Sequence, residues 1–281
     1  MTQLCRSAAI SNGARAVVTG AGSGIGRALA LELARRHAIL VCSDLSDERA
    51  KETAALVEKA GATAYPAVCD VSKYEDVERL AAAAKEFFEG PPTLVINNAG
   101  VAAGGRVIGQ IGIDEWYWVL GVNLLGVVHG CEVFAPMLRG QPRSGLINIA
   151  SAAAYMAAPL MAAYSASKAT VLSVSETLAA EMGGTGVNVT VVCPTFVKTN
   201  VARDGRIAGG SAEFVAKMIE QRGTQPEEIA RKSLDANDRG QLYVVPQVDA
   251  KLAWRVKRFA PALTTRVMTL AGRRMDPATA L

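Results

Sequence analysis

The stretch "ARAVVTGAGSGIGRALALELARR", residues 14–36, decides the architecture. Its opening, "ARAVVTG" (14–20), is a short apolar run bounded by glycine, the pattern of a buried strand. Its close, "SGIGRALALELARR" (23–36), spaces apolar residues at helical period. Between them stand Gly20, Gly22, Gly24 and Gly26. Glycine lets the chain turn tightly and lets a ligand approach the backbone. The helix that follows points its free N–H groups at whatever sits in the turn, which favours a pyrophosphate. The spacing is not G-x-G-x-x-G: counted from Gly20 the third glycine falls on Ile25, and from Gly22 on Arg27. It reads T-G-x-x-x-G-x-G at Thr19, Gly20, Gly24 and Gly26, and no Lys-Ser/Thr follows to make a Walker A loop.

Working outward, "AILVCSD" (38–44) is a second strand and "DERAKETAALVEKAG" (47–61) a helix ended by glycine. "TAYPAVCD" (63–70) reads as a strand despite Pro66, which suits an interior strand poorly. "KYEDVERLAAAAKEFF" (73–88) is a helix and "TLVINNAG" (93–100) a fourth strand. One long helix is predicted over about 114–138, a strand at "SGLINIAS" (144–151), a helix over about 160–182 and a strand at "VNVTVVCP" (187–194). Two helices and a last strand in "GQLYVVP" (240–246) follow a glycine-rich stretch. Apolar strands alternating with helices imply an α/β fold with a doubly wound, mostly parallel sheet, Rossmann-like. No linker divides residues 1–246, read as one dinucleotide-binding and catalytic domain, with 247–281 as a basic amphipathic helical extension.

Half of the 281 residues are hydrophobic and 5% aromatic, so alanine, valine and leucine must build the core. Cys5, Cys42, Cys69, Cys131 and Cys193 form no C-x-x-C, and with two histidines in the chain no metal site is expected. The reading is a reducing, cytoplasmic setting, and "MTQLCRSAAISNGAR" lacks the apolar core of a secretory signal. No charge lies between Arg143 and Lys168, but Asn148, Ser151, Pro159 and Ser165 suit a strand, loop and helix start better than a membrane span. The net charge of +4 is uneven: residues 251–281 carry seven Lys/Arg against Asp276, which leaves the remainder at −2. That pattern argues against a nucleic-acid-binding face. In the tail, Leu252, Val256, Phe259, Leu263, Val267 and Leu270 recur at spacings of three and four, with Pro261 breaking the run into two helices. This stripe is expected to pack on its own protein or a sister subunit, in preference to a membrane surface.

Asp44 ends the second strand, 18 residues after Gly26, where an acid accepts hydrogen bonds from an adenosine ribose. Its charge repels a 2′-phosphate, and positions 21–23 and 45–46 offer no Arg or Lys in compensation. NAD is therefore expected over NADP, the bland alternative being a capping or solvated Asp. In "AAYSASKAT" (162–170), Tyr164 and Lys168 lie four apart and so share a helix face. No other tyrosine in the chain has lysine at i+4. Bringing a phenol from about 10 to near 7 takes roughly 4 kcal/mol. One ammonium at about 4–5 Å supplies on the order of 3–4 kcal/mol at an effective dielectric near 20. The pair is thus expected to hold an acidified phenol; the bland alternative is a chance pair on a solvated face. Ser151, at a strand end, reads as a turn or cap residue or as a holder of substrate oxygen, and Asn123 stands in a helix where asparagine has poor propensity.

Taken together, these segments resemble the short-chain dehydrogenase/reductase family. Its glycine segment is matched at 19–26, its N-N-A-G at Asn97–Gly100, and its tetrad at Asn123 in "GVNLLG", Ser151 in "INIAS", Tyr164 and Lys168. The likeness covers about residues 14–200. It implies hydride transfer between a nicotinamide cofactor and a secondary alcohol or ketone. Tyr164 would exchange the hydroxyl proton, Ser151 position the oxygen, Lys168 tune the tyrosine and hold the nicotinamide ribose, and Asn123 supply a kinked backbone and a water on a proton path. The cofactor contacts implied are Gly20, Ser23, Gly24, Ile25, Gly26 and Asp44, then Asp70 and Val71 at the adenine, and Asn98, Ala99 and Gly100 along the adenosine. Pro194, Val197 and Thr199 would join Tyr164 and Lys168 near the nicotinamide. Asp70 or Ser72 is equally readable as the N-cap of the following helix. Where the family commonly has Pro-Gly, this chain has Pro194-Thr195. Met156, Leu160 and Met161 flank the catalytic helix, and Gly205, Gly209 and Gly210 fall in the segment 196–222 where the family places a lid. Substrate contacts are thus assigned to Ser151, Met156, Met161 and Tyr164, with a bulky apolar or aromatic substrate and a homo-oligomer, dimer or tetramer. The rivals are an NADPH-dependent ketoreductase of acyl or other carbonyl substrates, and a dinucleotide-sensing protein without turnover.

Overall fold

The structure, a computed structural model, describes residues 9–201 and 203–275. The chain runs β1 (Arg15–Thr19), α1 (Gly24–Arg35), β2 (Ile39–Asp44), α2 (Asp47–Lys59), β3 (Thr63–Val68), α3 (Tyr74–Phe87), β4 (Leu94–Asn97) and β5 (Ala103–Gly104). It continues with α4 (Ile113–Leu120), a π-helical turn (Gly121–Leu125), α5 (Gly126–Arg139), β6 (Ser144–Ile149), α6 (Ala153–Met156), α7 (Ala162–Glu181) and β7 (Val187–Val192). The last elements are β8 (Arg206–Ile207), α8 (Gly210–Arg222), α9 (Pro226–Asp238), β9 (Tyr243–Val244), α10 (Val248–Phe259) and α11 (Pro261–Met275).

Seven strands form one parallel sheet in the order β3-β2-β1-β4-β6-β7-β9. The chain winds outward from β1 in one direction and from β4 in the other, which opens a crevice at the carboxyl ends of these two strands. Side chains alternate between faces because the strand period is two. Val17, Val41, Val95 and Leu146 meet Leu80, Phe134, Leu138 and Val171 from α3, α5 and α7. Ala16, Leu40, Leu94, Ile96 and Ile147 meet Leu29, Leu33, Ile229 and Leu234 from α1 and α9. Burial of each such aliphatic side chain stabilises by about 1.5–3 kcal/mol, so both faces are driven shut.

Four expectations change. Pro66 is tolerated because β3 is the sheet's edge, with β2 on one side only. The single helix over 114–138 is α4 and α5 joined through the π-helical turn that contains Asn123. The last strand shrinks to Tyr243–Val244. The tail stripe does not pack on its own protein, one of the two partners expected for it. α10 instead buries Ala250 and lays Trp254 against Tyr243, which leaves Leu252, Phe259, Leu263, Val267 and Leu270 exposed.

Cys42, Cys69, Cys131 and Cys193 are buried and unpaired; Cys5 and most of the N-terminal segment read for a signal lie outside the described residues. The helical run Ile113–Arg139 is long and apolar enough to cross a membrane, with 44% of its most apolar window buried inside the fold. Its residues Val127, Phe134 and Leu138 belong to the core beside β4 and β6.

Candidate active site

The glycine turn is shaped by contacts that leave no space for side chains. Gly20 and Gly24 adopt φ of +62° and +52°, which L residues rarely hold. A methyl at Gly26 would collide with the Gly20 carbonyl, and one at Gly20 would lie 2.7 Å from Ala99 Cα. The Asn98 amide locks the turn by donating to the carbonyls of Thr19 (2.8 Å) and Gly20 (3.0 Å), while Thr19 Oγ1 accepts from the N–H groups of Asn98 and Ala99. Asn98 and Ala99 thus brace the seat as well as bordering it. The N-cap Ser23 makes no side-chain cap bond and the first turn of α1 holds no acid. An anion placed there would meet free N–H groups and the positive helix end. These features fit a dinucleotide pyrophosphate.

Asp44 stands at the carboxyl end of β2, where Oδ2 accepts from Gly22 N (2.9 Å) and Oδ1 from Ser46 N (3.0 Å). Asp70 neither caps α3 nor leaves Ser72 to do so. Its Oδ1 accepts from Ser72 N and Oγ, and the residue before α3 is Lys73, without a side-chain cap. Val71 is buried against Gly126, and its carbonyl is bonded by His129 Nδ1 at 2.9 Å.

On the other side of the crevice, β6 ends at Ile149 and leads to Ser151. α7 brings Tyr164 and Lys168 beside it. Lys168 is 4% exposed, and its Nζ donates to Ile149 O at 2.9 Å. Asn123 is fully buried; its Oδ1 accepts from Val101 N (2.8 Å), and Nδ2 donates to Val101 O (2.9 Å) and Ser167 Oγ (3.2 Å). A methyl at Gly100 would meet Asn123 Oδ1 at 3.1 Å and Lys168 Nζ at 3.4 Å, so these three residues converge on one spot. Burial pushes the Tyr164 phenol up, and its hydrogen bond with Ser151 opposes this. Burial also brings Lys168 down to about 8. Burial thus works against the acidified phenol expected of the pair. The ammonium lies 6.0 Å from the Tyr164 ring centroid and spends a proton on Ile149, so desolvation wins.

Residues 14–207 match the family profile of the short chain dehydrogenases. The chain belongs to the short-chain dehydrogenase family. The chain is 40% identical over 223 residues to "Probable oxidoreductase EphD" of Mycobacterium tuberculosis, a match that takes in 76% of this chain but 37% of that protein. It is 35% identical to "Putative oxidoreductase SadH" of the same organism, covering 84% of this chain and 87% of that one. Among solved structures, a short-chain dehydrogenase/reductase of Burkholderia phymatum in complex with NAD superposes with a TM-score of 0.83 at 32% identity, over 88% of this chain and 94% of that chain.

Residues after β7 pack beside the glycine turn. Thr199 presses its methyl on Gly24, Val197 is buried and bridges to Thr224, and Asp204 pairs with Arg49 of α2 at 3.1 Å. β5 and β8 pair in parallel, and Arg206 stacks 3.9 Å above the Trp118 ring. Gly205 works by close approach, since a methyl there would lie 2.7 Å from Ala102 O, and Gly209 by its φ of +58° ahead of α8; Gly210 is the first residue of that helix and has open space around it. Thr195 needs no glycine because its φ is not positive; its N–H donates to Gln247 Oε1 at 3.1 Å, and Pro194 O accepts from Ala152 N. Met161 borders a small pocket with Ala103, Gly104 and Ile111, whereas Met156 packs on the core. Ala157 and Leu160 hold positive φ on either side of Ala158-Pro159, so the loop before α7 is strained. A cavity of about 760 Å³ lies elsewhere, behind α7, lined by Ile108, Pro159, Ala166, Ala169 and Gly272.

Arg49, Asp204, Ser167 and Gln247 were missed by the sequence reading. Ser167 stands next to Lys168 and was within reach of that reading. The others come to the site from distant positions and carry no local signal.

Proposed function

We propose that this dehydrogenase transfers a hydride reversibly between NAD and a secondary alcohol or its ketone, bulky and apolar or aromatic. What carries the reading is the convergence of Ser151, Tyr164 and Lys168 at the end of β6, across the crevice from the glycine turn. Gly20, Ser23, Gly24, Ile25 and Gly26 would hold the pyrophosphate, Asp44 the adenosine ribose, Asp70, Val71 and Asn98–Gly100 the adenosine, and Lys168 the nicotinamide ribose, with Pro194, Val197 and Thr199 beside the ring. When bound, the nicotinamide supplies or accepts the hydride.

The chain's own residues handle the proton and the orientation. The Ser151 hydroxyl, turned to the Tyr164 phenol, fixes the substrate oxygen within reach of both. A neutral Tyr164 is ready to donate to a forming alkoxide. Lys168, buried and ordinarily a cation at pH 7, favours the phenolate that this donation leaves. Asn123 holds both backbone groups of Val101 through two hydrogen bonds, and a third ties it to Ser167 Oγ on α7. Met161 and Leu160 would form an adaptable apolar wall.

A panel of secondary alcohols assayed with NAD and with NADP, following absorbance of the reduced cofactor, tests the reading. Tyr164→Phe is expected to abolish turnover while cofactor binding, measured by calorimetry, stays within about twofold. Turnover that survives in this variant overturns the assignment. Asp44→Ser is expected to raise the KM for NAD about tenfold, a loss of about 1.4 kcal/mol, and to narrow the preference over NADP. An unchanged preference would move ribose selection to another residue.

A further inference from the structure

α10 is apolar on two opposite faces. The inner one carries Ala250, which is buried, and Trp254, packed against Tyr243 and the core. At 100° per residue, Val248, Leu252, Arg255 and Phe259 share the outer one. Their apolar members are 82%, 65% and 85% exposed. Lys251 and Arg258 flank this outer face, and Asp249 falls on the other flank. α11 continues the pattern. Thr264 is buried and Gly272 lies against Pro159, while Leu263, Val267 and Leu270 form an exposed row at i, i+4 and i+7 with Arg266 and Arg273 beside it. Monomeric surfaces rarely leave so many large apolar side chains together in water.

The charge discriminates among occupants. Residues 247–275 hold seven Lys/Arg against Asp249. A second copy docking through this same face would bring two surfaces of like positive charge together, which is repulsive. An anionic lipid surface receives the apolar row in its acyl boundary and the guanidinium and ammonium groups at its phosphates.

We propose that α10 and α11 form a docking face for an anionic lipid bilayer, which the enzyme binds peripherally without spanning it. The proposal rests on the outward sides of α10 and α11 alone and takes nothing from the substrate assignment. The test uses the full chain and sucrose-loaded vesicles of phosphatidylcholine, with and without about one-third phosphatidylglycerol. Expected is sedimentation with the anionic vesicles only, weakened about tenfold or more when salt rises from 0.1 to 0.5 M. Leu252→Gln/Phe259→Gln should cut binding about tenfold, and Arg255→Glu/Arg258→Glu should abolish it. Both positions are exposed, so thermal unfolding should match that of the parent chain. Absence of binding to anionic vesicles, equal binding to neutral vesicles, or variants that bind like the parent overturns the proposal. So does a parent dimer, seen by analytical ultracentrifugation, that Leu252→Gln/Phe259→Gln dissociates, because the face then belongs to a second copy.

Discussion

At the scale of single residues, Gly26 shows how little freedom the cofactor seat has. A side chain there runs into the Gly20 carbonyl, which the Asn98 amide already holds. Gly26→Ala is expected to cost about 1–3 kcal/mol in urea unfolding, and to remove NAD binding by displacing the turn; calorimetry on the folded variant checks the second effect. Asn123 is constrained in another way. It satisfies both backbone groups of Val101 from inside a π-helical turn, a conformation that a regular helix cannot offer. The motif letters identify both residues, but the reasons they are irreplaceable are contacts with residues 6 and 22 positions away.

At the scale of elements, Thr199 and Asp204 act as a strap across the heads of α1 and α2. It starts on Gly24 at the head of α1 and ends on Arg49 of α2, beside Gly22. The Arg49–Asp204 pair is substantially exposed, and such pairs contribute about 0–1 kcal/mol to stability. Asp204→Asn should therefore leave the melting temperature almost unchanged. Its expected effect is kinetic: release of the reduced cofactor, followed by stopped-flow fluorescence, should quicken severalfold and lose its dependence on salt. An unaltered release rate would show that the strap does not retain the dinucleotide. The alternation of strand and helix was legible because the interior strands β1, β4, β6 and β7 are buried on both faces and most helices on one, which writes period and length into the sequence. The strap and the β8 residues after it were legible only as a glycine-rich stretch, since their partners lie in α1, α2, β5 and α4.

For the whole molecule, the buried thiols set the alkaline limit. Desolvation pushes Cys42, Cys69 and Cys193 up to about 12 and Cys131 up to about 11. A group whose folded pKa lies above its unfolded value contributes stability that is complete below the unfolded pKa, here 9.0, and is lost as pH rises toward the folded one. Lys168, with its folded pKa down at about 8, acts oppositely between 8 and 10.5, but as one group against four. Net stability should fall from pH 9 to 11, by about 1 kcal/mol per thiol at pH 10. Chemical denaturation across that range checks the fall, and Cys42→Ala should make it shallower.

The sequence by itself determined the doubly wound sheet, the glycine seat, Asp44 at the end of β2 and the order of Asn123, Ser151, Tyr164 and Lys168. Strand burial, helix periodicity and i+4 spacing are local properties that a chain displays without folding. Tertiary structure alone decided that Pro66 lies at an edge, that Lys168 is buried and donates to Ile149 O, and that the tail's apolar row faces outward. Each of these depends on which distant groups remove water from a side chain, and desolvation is a property of the assembled fold.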